Sequence, residues 1–482
     1  MKVDLAALSG TRVTVMGLGI HGGGLASARF FARRGARVTV TDLRSARILQ
    51  PAMEELREFP VRFVLERHDE EDFAHADLVI KNPAVPPTSP FLQKAREHGV
   101  PIETDLSVFF SIARNPIIAV TGSKGKSTTA SAIAFGLSIV HPGTRLGGNI
   151  TVSPLSFLEE LTPDEPVVLE LSSWQLGDLK GRGILTPVVS AVTVILPDHL
   201  DKYAGMTEYI ADKKAVFEGQ QSSQKAVFNL DDPWQRGFPG ETRARPFFFS
   251  ARELPAELCG AWQSGNRGDA GKARIAPGAP AEDILTTALL PGAHNRRNLL
   301  CAGLVLLLYG VPAGTVRDAL ARFPGVEHRL ELFLTWNALR FYNDSAATIP
   351  HATVEAVRAV QGPVVLITGG TDKSIDFSPL AEVVHLPRAI ILLSGTGTEK
   401  IRALLKSAHV SAEGPFDNLR DAVAEAMARA EEVRSGLRST ESVSIIFSPG
   451  CTSFGMFLNE FDRGRKFKEI AAALTSAEAP SP

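Results

Sequence analysis

Short runs of β-branched and other apolar residues alternate, along the whole chain, with alanine- and leucine-rich stretches of helical period. The clearest runs cover residues 12–16, 38–41, 167–169, 364–367 and 390–393. They are short, β-branched and mostly apolar, and their alternation with helical stretches predicts a parallel sheet covered on both faces. Each third of the chain has its own set, so the pattern predicts an α/β protein with three units. No internal repeat interrupts it. Residues 260–280, rich in Gly, Ala and polar side chains, read as an irregular loop, and residues 476–482 as a fraying tail.

Length agrees, because 482 residues exceed one ordinary core and fit about three domains. With 51 basic against 53 acidic residues there is no electrostatic footprint for nucleic acid or an anionic membrane, so small-molecule partners are expected. Cys259, Cys301 and Cys451 share no metal-like spacing, and their odd number argues against a disulfide framework. The N-terminus lacks a signal-peptide pattern and no apolar stretch reaches the length of a membrane span. A soluble, cytoplasmic protein is the expectation.

Candidate chemistry starts at Val120-Thr121-Gly122-Ser123-Lys124-Gly125-Lys126-Ser127-Thr128, which follows an apolar run and opens an alanine-rich helical stretch. Gly122 and Gly125 let backbone N–H groups turn toward phosphate oxygens, Lys126 supplies a point charge, and the Ser127 or Thr128 hydroxyl can hold Mg²⁺. Val120 stands where the full phosphate-loop pattern has its first glycine. Earlier, the glycine turn Gly17-Leu18-Gly19 follows the first strand and Asp42 ends the second, with Arg44 two places on. That spacing resembles a dinucleotide-binding unit, in which the acid holds a ribose hydroxyl. Taken alone, this third fits a nicotinamide dehydrogenase, but such an enzyme has no use for the Lys126 loop.

Glu170 ends the run 167–169 and is placed at the same sheet edge as the phosphate loop, where a carboxylate can bind the Mg²⁺ of a nucleotide. Asp198-His199-Leu200-Asp201 follows another apolar run; its histidine either serves metal and phosphate or is structural. Lys213 and Lys214 sit on a helical stretch after Tyr209. Further clusters of amide, guanidinium and carboxylate groups are His294-Asn295 with Asn298, His328-Arg329, and Asn343-Asp344-Ser345 through Thr348. Gly369-Gly370 with Lys373, and Ser448-Pro449 with Ser453, each follow a strand, at the ligand-binding edge of a third α/β domain.

Together with Gly147-Gly148-Asn149-Ile150, these motifs resemble, in order and over essentially the whole chain, the Mur ligases of peptidoglycan synthesis. Glu170 to Gln175, Lys373 and Ser453 point within that family to the branch that adds D-glutamate to UDP-N-acetylmuramoyl-L-alanine. The resemblance implies three domains: a Rossmann-like UDP-sugar domain over 1–114, a central P-loop-type ATPase domain with a parallel sheet over 115–323, and a Rossmann-like amino-acid domain over 324–482. It implies an acyl-phosphate mechanism with ATP and Mg²⁺ at two sites. By residue matching, the ATP contacts are Gly122, Ser123, Lys124, Gly125, Lys126, Ser127, Thr128, Asn298, Arg329 and Asp344. Lys126, Glu170, His199 and Lys213 are the implied catalytic set. Ser127, Glu170, His199 and Lys213 would hold metal, the lysine as a carbamate. Gly19, Asp42, Arg44 and Asn149 would bind the UDP sugar, and Thr348, Lys373 and Ser453 the D-glutamate.

Three departures stand out. Ala346 replaces a lysine of the family pattern, Thr151 a glycine, and Phe461 lies one place late for an expected aromatic. The alternatives are a Mur-type or folylpolyglutamate-type ligase with another amino-acid acceptor, or a non-catalytic nucleotide-binding protein. A monomer without nucleic-acid partners or integral membrane segment is expected.

Overall fold

A computed structural model describes residues 8–19, 22–198, 203–265, 270–286, 290–372, 375–438, 441–453 and 455–477. Three sheets succeed one another along the chain. The first contains β1 (Arg12–Met16), β2 (Arg37–Asp42), β3 (Arg62–Leu65), β4 (Leu78–Lys81) and β5 (Ile102–Glu103), all parallel in the order β3-β2-β1-β4-β5. Its first helix, Gly23–Arg33, lies so close to β1 that a Cβ on Gly24 would stand 2.1 Å from the Gly17 carbonyl oxygen. Only glycine fits there, which is what the glycine turn after β1 required.

The second sheet has nine strands: β6 (Ile117–Thr121), β7 (Arg145–Gly148), β8 (Val167–Glu170), β9 (Val189–Val192), β10 (Lys225–Asn229), β11 (Arg245–Ser250), β12 (Gly260–Ser264), β13 (Ala270–Arg274) and β14 (Glu282–Leu285). Their order is β14-β13-β12-β11-β10-β9-β6-β8-β7, parallel except where β13 and β14 turn antiparallel at one edge. Two of these strands correct the loop expected over 260–280. In β12 and β13 the pairing runs from Gly260↔Arg274 to Ser264↔Ala270, and Ala261, Trp262 and Ala273 are buried. Gly260–Ser264 and Ala270–Arg274 mix Gly, Ala and polar residues and lack the apolar run that marks a central strand, so composition alone misread them.

The third sheet is β15 (Glu331–Trp336), β16 (Leu339–Asn343), β17 (Val364–Thr368), β18 (Ala389–Leu393), β19 (Glu413–Phe416) and β20 (Val443–Phe447), in the order β15-β16-β20-β17-β18-β19. Only β15 is antiparallel. Leu366, Ile390 and Ile446 face one buried layer while Val365, Ile367, Ile391 and Ile445 face the other. Burial on both faces is why these strands read as unbroken apolar runs.

Packing divides the chain into two compact units. Met1–Thr287 with Arg297–Ala321 holds the first two sheets, and Ala288–Arg296 with Arg322–Pro482 holds the third. Within the first unit, the two sheets share a core through Leu106, Phe109 and Phe110 of the helix Asp105–Ile112 and Leu155, Phe157 and Leu158. The three cysteines are buried and unpaired. Among the described residues, no helix is long and apolar enough to cross a membrane. The helix Glu460–Ala477 runs into the segment expected to fray, and residues 478–482 lie outside the described residues.

Candidate functional site

At the carboxyl edge of the second sheet, β6 ends at Thr121 and the loop 122–125 leads into the helix Lys126–Val140. Gly125 caps that helix at φ 88, and a Cβ there would lie 2.3 Å from the Asn298 side-chain oxygen. A glycine is therefore needed both for the turn and for the approach of Asn298. The loop is pinned from beneath: Thr193 Oγ1 donates to the Lys124 carbonyl at 2.6 Å, and the Ser123 hydroxyl meets Tyr209 Oη at 2.8 Å. Lys126 Nζ donates to the Ser123 carbonyl at 3.0 Å, while Ser127 and Thr128 are buried in the first turn. Lys124 stands 3.4 Å from Asp198.

Glu170 closes β8, paired with Val120 on one side and Gly148 on the other, and is 1% exposed. Asn149 supports it twice: its backbone N–H donates to the Glu170 carbonyl at 2.8 Å, and its Nδ2 donates to Oε1 at 2.9 Å. The other carboxylate oxygen, Oε2, is buried and has no hydrogen-bond partner among the described residues. An orphaned carboxylate oxygen is costly unless something cationic meets it. Beside two small hydroxyls and a phosphate loop, the donor set suits a hard, oxygen-seeking cation. A reciprocal cap, in which Ser172 Oγ accepts from Gln175 N and Gln175 Oε1 from Ser172 N, starts the helix Ser173–Leu179 and fixes the chain just past Glu170.

Lys213, one turn after Tyr209 on the helix Met206–Glu218, is 2% exposed. Its Nζ donates to the Gly122 carbonyl at 2.8 Å. Burial, reinforced by the charge of Lys126, pushes its pKa down to about 6, so the amine is neutral near pH 7. Neighbouring Lys214 turns to Glu241 at 2.6 Å. One edge thus gathers Gly122, Ser123, Lys124, Gly125, Lys126, Ser127, Thr128, Asn298, Glu170, Asn149 and Lys213. His199 and Asp201 lie outside the described residues.

At the edge of the first sheet, the Asp42 carboxylate accepts from the Gly19 N–H at 3.1 Å and the Arg44 N–H at 2.9 Å, and the Arg44 guanidinium is 3.5 Å away. Asp42 therefore also caps the turn that follows β2. A Cβ on Gly22 would lie 3.4 Å from the Thr151 carbonyl, so the glycine turn adjoins the Asn149 turn. Thr151, which stands where the motif expects glycine, adopts φ 65.

In the second unit, Asp344 follows β16 and is buried; it accepts from Leu330 N at 3.0 Å and from the Ser448 hydroxyl at 2.7 Å. Burial pushes its pKa up to about 7. Arg329 is exposed, Thr348 half-buried and Ser453 buried, while Lys373 lies outside the described residues. Glu327, His328 and Glu331 come close enough to share a cation, but Lys468 already bridges both acids at 3.1 and 2.7 Å. Motif matching named Tyr209 and Ser448 without their supporting contacts and missed Thr193, because the partners are distant in sequence and leave no spacing signal.

The family model for the Mur ligase middle domain matches residues 120–306, and that for the Mur ligase MurD-like N-terminal domain matches residues 11–104. Over 97% of its length the chain is 39% identical to UDP-N-acetylmuramoylalanine–D-glutamate ligase of Roseiflexus sp. (strain RS-1), covering all of that protein. The chain belongs to the Mur ligase family. The ligase of the same name from Treponema pallidum (strain Nichols) is 38% identical over 97% of this chain and 98% of its own. Among solved structures, UDP-N-acetylmuramate-alanine ligase MurC from Thermotoga maritima superposes with a TM-score of 0.60 at 19% identity, covering 96% of this chain and 99% of that one. MurF ligase from the same organism, solved in complex with ADP, gives 0.56 at 16% identity over 99% of this chain and 100% of its own. These likenesses show the three-domain Mur ligase fold.

Two expectations follow from the geometry. A β-branched residue at φ 65 carries strain of roughly 1–2 kcal/mol, more than the extra backbone entropy of glycine. Thr151→Gly should therefore raise the thermal midpoint by a degree or more, and an unchanged or lower midpoint would show that Thr151 is unstrained. For Asp344 the folded pKa of about 7 lies above the ordinary 3.8, so the folded protein keeps a proton that the unfolded chain sheds. Stability contributed by that proton is lost as pH rises between about 4 and 7, then stays level. Relative to Asp344→Asn, the wild type should lose thermal stability across that window; a difference independent of pH would contradict the shift.

Proposed function

We propose that this chain is an ATP-dependent ligase that joins D-glutamate to UDP-N-acetylmuramoyl-L-alanine during peptidoglycan precursor synthesis, in the cytoplasm, as a monomer. The observation that carries the reading is the edge of the second sheet, where a phosphate loop, a buried glutamate with one free oxygen and a buried neutral lysine converge. Full-length likeness to two proteins named as D-glutamate ligases supports the amino acid. Domain limits of 1–114, 115–323 and 324–482 fit the three sheets.

In this reading the substrate carboxylate attacks the γ-phosphorus of ATP and the bond to ADP breaks, leaving an acyl phosphate. The amine of D-glutamate then adds to the acyl carbon, loses a proton, and the tetrahedral intermediate expels phosphate. Loop amides from 122 to 126 and Lys126 hold the phosphates and spread the developing charge. Arg329, Asp344 and Asn298 are further nucleotide contacts. Glu170 and Ser127 or Thr128 would hold one Mg²⁺ and His199 with Lys213 a second, and the metal, when bound, neutralises phosphate charge. The neutral amine of Lys213 is the form that adds to carbon dioxide, releasing a proton and becoming an anionic carbamate suited to that second cation. Gly19, Asp42, Arg44 and Asn149 line the UDP-sugar side; Asn149, with Nδ2 committed to Glu170, offers its Oδ1. Thr348, Lys373 and Ser453 receive the D-glutamate.

Ala346 in place of the expected lysine favours one second reading, the same ligase chemistry with another amino acid. ADP release from ATP, Mg²⁺ and UDP-N-acetylmuramoyl-L-alanine, measured with D-glutamate, L-glutamate, L-alanine and diaminopimelate in turn, separates the two. Turnover with D-glutamate alone is expected; turnover with a different acceptor, or with none, overturns the assignment.

A further inference from the structure

Lys81 is the last residue of β4, paired with Met16 where β1 gives way to the glycine turn, and it is 7% exposed. The next residue, Asn82, donates its N–H to the Met16 carbonyl at 3.1 Å, and a Cβ on Gly17 would lie 3.2 Å from the Asn82 Cβ. Lys81 is therefore anchored to the edge that carries Gly19, Asp42 and Arg44. Its Nζ lies 2.7 Å from Oδ2 of Asp178, on the helix Ser173–Leu179 that starts just past Glu170, and donates to the Val85 carbonyl at 3.4 Å. The charges are close but off the hydrogen-bond direction, since Oδ2 of Asp178 has no aligned donor among the described residues. Burial raises the Asp178 pKa, and Lys81 opposes that rise.

Two neighbouring links cross the same seam between the first two sheets. Arg182, just past that helix, pairs with Glu103 at 2.7 Å, and Ser153 donates its hydroxyl to buried Asp105 at 2.7 Å. Ser153 follows the turn whose Asn149 holds Glu170. Around these links lies the shared apolar core, with Leu106, Phe109 and Phe157. Apolar contacts stabilise without fixing direction. A buried ion pair adds little stability over apolar side chains of similar size, because both charges have left water. What it does add is one permitted geometry, since a buried charge shifted off its partner is costly.

We infer that Lys81 and Asp178 are positioning residues that fix the UDP-sugar edge of the first sheet relative to Glu170 and the phosphate loop, so that the carboxylate of a bound substrate arrives in line with the γ-phosphorus. The inference rests on the ligase reading above. In that reading the substrate is gripped by Gly19, Asp42 and Arg44 at one end and reacts over Lys126 at the other. A handle held on one sheet and a reaction run on another tolerate little slip: a misplacement of about 1 Å can cost on the order of 100-fold in rate. The pair acts through the two edges that it joins, without touching the reacting atoms.

The test uses the full-length protein. Wild-type ADP release with ATP, Mg²⁺, UDP-N-acetylmuramoyl-L-alanine and D-glutamate settles the ligase reading first, so the failure of that reading is seen before any variant is made. Lys81→Met is then expected to lower kcat at saturating substrates roughly 10-fold or more, while the Kd for UDP and for ADP with Mg²⁺, each read by calorimetry, stay within about two-fold of wild type. Lys81→Arg, which keeps the charge, should recover part of the loss. A kcat loss matched by equal losses in both affinities would make the pair purely structural and overturn the inference, as would an unchanged kcat. Should Lys81→Met fail to fold, the double variant Lys81→Met with Asp178→Leu decides, because it leaves neither charge of the pair buried alone. A kcat loss with both affinities intact in that variant supports positioning, and a wild-type kcat refutes it.

Discussion

The cost of burying a carboxylate oxygen that nothing among the described residues satisfies is the constraint around which the central domain is arranged. Glu170 is held at the end of β8 by neighbours on every side: Val120 and Gly148 in the sheet, Asn149 on Oε1 and the main chain, and the Ser172–Gln175 cap just downstream. Of the carboxylate oxygens Asn149 takes only Oε1, and Oε2 stays buried with no hydrogen-bond partner among the described residues. A cation there would relieve the burial cost, and a site organised in this way before its ligand arrives would not have to reorganise during phosphoryl transfer.

Lys213 poses the complementary problem with the opposite sign. An amine surrounded by protein and facing Lys126 loses its proton more easily than it keeps it, and the loop carbonyl of Gly122 accepts from the neutral form. The same carbonyl belongs to the phosphate loop, and Tyr209, one turn away, holds Ser123 of that loop. The loop 122–125, Glu170 and Lys213 are therefore mechanically one body, built from three parallel strands and the helices that follow them.

Much of this was legible in the sequence, for reasons visible in particular residues. Strands of the sheet centres announced themselves because both faces are buried, as in Val364–Thr368; the phosphate loop did so because Gly125 answers to both a left-handed turn and the proximity of Asn298. The hairpin β12–β13 was hidden, since Gly260–Ser264 and Ala270–Arg274 mix buried and partly exposed residues without an apolar run. Supports formed across long separations, Thr193 to Lys124 or Ser448 to Asp344, leave no spacing in the sequence to read. Asn149 was matched to the UDP sugar, and the structure adds that it also positions Glu170; Thr151 shows how a departure from pattern becomes backbone strain.

The central claim is that Glu170 and the neutral Lys213 are preorganised to hold divalent metal beside the phosphate loop. Anomalous diffraction from crystals grown with Mn²⁺, ADP and bicarbonate tests it directly. The account predicts an anomalous peak within coordination distance of Glu170 Oε2, and density for a carboxylate on Lys213 Nζ. A metal bound elsewhere, with Glu170 still engaged only by Asn149 and an unmodified Lys213 on the Gly122 carbonyl, would contradict it.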